Sequence, residues 1–158
     1  MYQDISLRFY RGTKGEFELY THYMYEKIFS ERFVKNISDE QLAAMRQRFY
    51  DRYIDYRFCL IRLTEAQDPF FENIDERVEG YRKVTARTLF LAGAHDRAIP
   101  LWLQEKLAEI FPNSRYELVP ESGHVVYIER PDVFFPALKA FMAARSIDFE
   151  MPTGEAAG

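Results

Sequence analysis

The chain has 158 residues, of which 16% are aromatic, and a formal net charge of -4 with acids and bases interspersed. A chain of that length buries well over half of the surface it exposes when unfolded, which suits one ordinary domain and excludes two full ones. No basic block stands out, so the electrostatic footprint of a nucleic-acid binder is missing and the expected partners are small molecules or proteins.

The opening stretch MYQDISLRFYRGTKGE lacks the apolar core of a signal peptide, and no uninterrupted apolar run approaches a membrane span. A soluble, cytoplasmic chain without membrane contact is therefore expected. From Gly15 to Ser30, Phe17, Tyr20, Met24 and Ile28 recur at helical spacing and predict a short helix. Ser38 is a good N-cap, Gln41 follows at the capping-box position, and Asp39 and Glu40 lie in the first turn, where the helix dipole favours acids. Leu42, Met45, Phe49, Tyr53, Tyr56, Leu60 and Leu63 then continue at three- and four-residue steps, predicting one long amphipathic helix that ends before Asp68-Pro69. A further helix is predicted from Pro69 towards Val84, with proline in its first turn.

The pattern then changes. RTLFLAG, Arg87 to Gly93, is a nearly continuous apolar run closed by glycine, as in a strand buried on both faces of a parallel sheet. Leu101 to Phe111 returns to helical period, Tyr116 to Pro120 reads as a second strand, and Pro131 to Ser146 as a last helix that Pro136 should kink or restrict to one side. The domain organisation expected is a helical region over 1–84, an α/β region over 85–146 and a flexible tail over 147–158. Strand, helix, strand, helix is the crossover unit of an α/β fold. Two short parallel strands make an incomplete sheet with unpaired edges, so they are expected to form one end of a larger one.

Each strand is followed by a loop with a titratable group, Asp96 in LAGAHDRAIP and His124 in VPESGHVVYIERP. Neighbouring parallel strands would carry both loops to one rim, where open α/β sheets place their chemistry. A carboxylate beside an imidazole there can set its tautomer and stabilise its protonated form. In isolation, Asp96 equally suits a loop or capping role and His124 a turn held to backbone. His95 is expected to be a non-catalytic loop residue, His22 a helix surface or packing residue, and Trp102 to face either the cleft or the core. Cys59, the single cysteine, lies among apolar neighbours, which predicts a buried structural thiol and a reducing compartment. Three histidines and one cysteine form no zinc pattern, and Gly12, Gly15 and Gly80 are isolated, so no metal, phosphate loop or other cofactor is expected.

Gly93-Ala94-His95-Asp96, Pro100, Gly123-His124, Glu129 and Pro131, in that order, resemble the C-terminal part of the α/β-hydrolase fold, closely from about Val84 to Arg145. The preceding aromatic helices resemble, more loosely, the helical cap that many members of that family insert above the active site. The resemblance implies a triad in the order nucleophile, acid, histidine, with Asp96 as acid and His124 as base. The family's nucleophile turn is missing from these residues: Ser122 lies inside the His turn, and Ser6, Ser30, Ser38, Ser114 and Ser146 lack the flanking glycines. The function implied is part of an esterase-like hydrolase acting on a small apolar or acyl substrate, its nucleophile on a missing or separate N-terminal half. The alternative is a truncated, non-catalytic module that self-associates or binds a protein through its open sheet edge.

Overall fold

The helical spacing of Phe17, Tyr20 and Met24 forms α1 (Phe17–Ile28) in the computed structural model, which describes residues 16–152. Phe17 and Tyr20 are its buried apolar anchors, and Met24, Phe49, Tyr50 and Ile54 pack around them. The chain turns at Phe29 into a short helix that the sequence pattern did not announce, α2 (Glu31–Lys35), because Ser30 caps it: its Oγ accepts from Phe33 N at 3.2 Å. The capping box at Ser38 forms as expected, Gln41 N donating to Ser38 Oγ at 3.2 Å and Ser38 N to Gln41 Oε1 at 2.9 Å, and it opens α3 (Asp39–Tyr53).

The long helix expected to run to Asp68 is interrupted. A 3-10 turn at Ile54–Tyr56 separates α3 from α4 (Arg57–Glu72). At the break Ile54 joins the Phe17–Tyr20 cluster, and beyond it Tyr56, Phe58 and Leu63 are exposed. Pro69 lies inside α4 rather than opening the next helix. A proline so near the end of a helix costs one backbone bond, and the stop comes at Asn73, whose side chain donates to Pro69 O at 2.9 Å before α5 (Ile74–Tyr81). Cys59 is exposed, not buried. It shares an apolar groove with Phe49, Tyr53, Tyr56 and Leu63, because residues adjacent in sequence to an apolar run fall on different faces of a helix.

β1 (Thr88–Gly93) and β2 (Ser114–Val119) pair in parallel from Thr88↔Ser114 to Gly93↔Val119, and α6 (Leu101–Ile110) makes the crossover between them. Among the described residues they form a two-stranded sheet. Burial on both faces holds only at the strand ends, at Ala92, Gly93 and Val119, since Thr88 to Leu91 are half-buried. After the His turn come α7 (Val126–Glu129), also unforeseen, and α8 (Pro131–Ala143). α8 runs past Pro136, which is exposed and forfeits one backbone bond of the helix, while Pro131 occupies the first turn, where no amide donor is needed. Val119, Val126 and Val133 form the core here, with Leu91 and Phe134 against it. The looseness expected from 147 onward does not describe Phe149: its carbonyl accepts from Arg115, and its ring lies 4.9 Å from the Arg115 guanidinium and 5.9 Å from Phe141. None of the described helices is long and apolar enough to cross a membrane.

Candidate active site

The ends of β1 and β2 lie side by side, so the loops that follow them meet. Ala94 N donates to Val119 O at 3.0 Å and His95 N to Ser122 O at 2.8 Å, which fastens the acid loop to the His turn. Within the acid loop, Asp96 Oδ1 accepts from Ala98 N at 2.7 Å and from Ile99 N at 3.0 Å. Its Oδ2 accepts from Gln104 Nε2 at 3.0 Å and stands 3.0 Å from His124 Nδ1. Asp96 therefore organises its own loop and also reaches the histidine, two roles that the sequence presented as alternatives. Gln104, on the first turns of α6, is the contact that sequence reasoning missed; a glutamine eight residues past an acid belongs to no local pattern.

The Asp96 side chain is 4% exposed and the His124 side chain 45%. Burial is the largest influence on the Asp96 carboxyl and pushes it up. The hydrogen bond from His124, the Ile99 amide, the charge on His124 and the Ala98 amide together outweigh it, so the group titrates below the ordinary aspartate range. An ionised Asp96 makes Nδ1 of His124 the donor, which leaves the lone pair on Nε2. A carboxyl depressed in the folded state contributes stability that is complete above its unfolded value, about 4, and is lost as pH falls through the lower folded value. Urea unfolding of the protein and of Asp96→Asn across that interval is expected to show the gap between them narrowing below about pH 4. A gap that stays constant would contradict it.

The His turn has little room. Glu121 takes the left-handed conformation at φ 55°, and Ser122 is fully buried. A Cβ on Gly93 would lie 1.9 Å from Gly123 O, and one on Gly123 would lie 2.7 Å from Ser30 N, so both positions require glycine for close backbone approach. His124 N donates to Ile28 O at 2.8 Å, which seats the turn on the end of α1.

The remaining candidates lie elsewhere. His95 is exposed and borders a surface hollow with Glu31, Lys35 and Glu121, while His22 is exposed on α1 near Glu18 and Arg46. Trp102 faces solvent at 58% exposure, with Lys106 Nζ 5.8 Å from its ring centre, so it lines no core. The described serines are committed to structure: Ser122 Oγ is buried beside Gly123 O, Ser114 donates to Ala108 O, Ser146 to Asp148 O, and Ser30 and Ser38 cap helices. Ser6 lies outside the described residues. No group of three or more His, Cys, Asp or Glu among the described residues is arranged to hold a metal ion.

This arrangement can be set beside known proteins. The family model described as the alpha/beta hydrolase family matches residues 7–137. A Haemophilus influenzae protein provisionally named esterase/lipase is 37% identical over 110 residues, 68% of this chain and 36% of its own length. The Mycobacterium tuberculosis protein BpoC, provisionally named a non-heme bromoperoxidase, is 34% identical over 68 residues, 43% of this chain and 26% of its own. Among solved structures, MGS-M2, an alpha/beta hydrolase enzyme from a Medee basin deep-sea metagenome library, superimposes with a TM-score of 0.71 at 20% identity. That match covers 92% of this chain and 52% of MGS-M2. The chain thus spans about half the length of the solved relative and about a third or less of the curated ones.

Proposed function

Because the chain belongs to the α/β-hydrolase family, with esterase/lipase and bromoperoxidase relatives, we propose that it supplies the acid and the base of an esterase-type triad. The observation that carries this proposal is the pair itself: a buried carboxylate 3.0 Å from Nδ1 of a half-exposed imidazole, at the ends of two parallel strands. In the proposed reaction Nε2 of His124 takes the proton of a nucleophile as it attacks the acyl carbon. The imidazolium then gives that proton to the leaving alcohol; Nε2 next takes one from the water whose oxygen attacks the acyl carbon, and returns it to the nucleophile as the acyl-nucleophile bond breaks and the acid leaves. Asp96 stays ionised throughout and holds the ring in the required tautomer. The nucleophile and the oxyanion donors would come from outside the described residues, since every serine within them is otherwise engaged.

The helices over residues 17–81 are proposed to form the cap, and the groove of Phe49, Tyr53, Tyr56, Cys59 and Leu63 favours a small apolar or acyl substrate. A second possibility, association through the sheet edge without catalysis, is favoured by the two-stranded sheet, in which, among the described residues, each strand pairs on one side. Labelling with a serine-directed fluorophosphonate, followed by intact mass analysis, separates the two. The enzyme proposal requires label on a polypeptide that carries a nucleophile turn, within this protein or bound to it. A folded, self-associated chain that neither labels nor hydrolyses generic esters would overturn it.

A further inference from the structure

The His turn packs backbone against backbone on both sides, with the Glu129 carboxylate set in beside it. Beneath Gly123 lies β1 at Gly93, and above it lie Ile28 and Ser30, whose O and N would stand 2.8 Å and 2.7 Å from a Cβ on Gly123. One carboxylate bridges the turn to the upper layer. Glu129 Oε1 accepts from Gly123 N at 2.9 Å, and its Oε2 accepts from Ser30 N at 3.0 Å and from the Ser30 hydroxyl. Ser30 is 1% exposed, and its Oγ also accepts from Phe33 N, so the hydroxyl proton is directed to Glu129. The same stretch of chain is gripped from the acid side: the Arg97 guanidinium donates to Phe29 O at 3.0 Å and to Glu26 O.

We propose that Glu129 is a positioning residue for His124, clamping Gly123 to Ser30 so that the imidazole leaves the backbone at the angle that meets Asp96. The proposal rests on His124 acting as the base, although the clamp itself operates before any substrate arrives. The backbone that carries the imidazole sets the position from which its Nδ1 reaches Asp96 Oδ2 at 3.0 Å. The clamp needs a carboxylate, because both oxygens must accept. Glutamine keeps one acceptor and turns an NH2 toward the Ser30 amide; alanine leaves both amides without this partner.

The test reads the ring nitrogens of His124 by 15N NMR in the protein and in Glu129→Gln, Glu129→Ala, Asp96→Asn and Phe17→Leu. The protein is expected to hold the Nδ1–H tautomer in excess over Nε2–H. Folded Glu129→Ala should lower that ratio about threefold or more, with Glu129→Gln between the two. Phe17→Leu, a buried change in the distant α1–α3 cluster, controls for loss of stability and should leave the ratio unchanged. Folded Glu129→Ala with an unaltered ratio would overturn the proposal. If that variant does not fold, an unaltered ratio in Glu129→Gln overturns it instead. Failure of the triad has a different signature: Asp96→Asn would still perturb the ring signals, while His124→Ala would leave ester hydrolysis intact. In the active enzyme, Glu129→Gln should reduce kcat about tenfold with KM unchanged.

Discussion

Replacing His124 with alanine is expected to lower kcat for ester hydrolysis by on the order of a thousandfold or more, with KM little changed. In the proposed mechanism the imidazole would act on protons in flight and not on the bound ester, so its loss would raise the barrier without weakening ground-state binding. Asp96→Asn should fall in the same range for another reason. The asparagine carbonyl can still accept from the Ala98 and Ile99 amides, but its NH2 then faces Nδ1 and drives the proton to Nε2, where the base is needed. Gln104→Ala removes one neutral donor from Asp96 and should cost about tenfold or less. Kinetics on a short-chain p-nitrophenyl ester measure all three, and activity of His124→Ala within about tenfold of the unaltered enzyme would remove His124 from the mechanism.

Gly93→Ala is expected to destabilise the fold by about 3–5 kcal/mol, enough to abolish most of the stability of an ordinary domain. The new methyl would sit 1.9 Å from Gly123 O and 2.5 Å from Ser122 O. Both are backbone atoms of the His turn, which is fixed on its far side by Ile28 and Ser30 and cannot recede. Gly80→Ala provides the contrast: nothing lies within 4 Å of its Cβ, and it stands inside α5, so a gain of about 0.5–1 kcal/mol is expected. Urea unfolding of the two variants would reveal whether close backbone packing, and not glycine content, holds the site. Equal effects would refute that.

Local chemistry was legible wherever neighbours in sequence are also neighbours in space. The Ser38–Gln41 capping box, the apolar run ending in Gly93 and the crossover order all rest on contacts within a few residues or on a simple period, and they stand in the fold. Helix boundaries were less legible. The break at Ile54–Tyr56 and the passage of α4 through Pro69 depend on which residues find packing partners, and periodicity continues across both. Cys59 shows the same limit, since apolar neighbours along the chain do not ensure burial on a helix.

For the site, the residues alone already place an acid loop and a Gly-His turn after consecutive strands, and parallel pairing then obliges Asp96 and His124 to share a rim. What holds them there is set by long-range packing. Gln104 reaches Asp96 from a helix, and Glu129 joins Gly123 to Ser30 across 99 residues of separation from that serine. Such contacts follow no helical or strand period; they form where backbone packs on backbone at Gly93, Gly123 and Ser30, and the Glu129 carboxylate and Ser30 hydroxyl meet only once those layers are assembled.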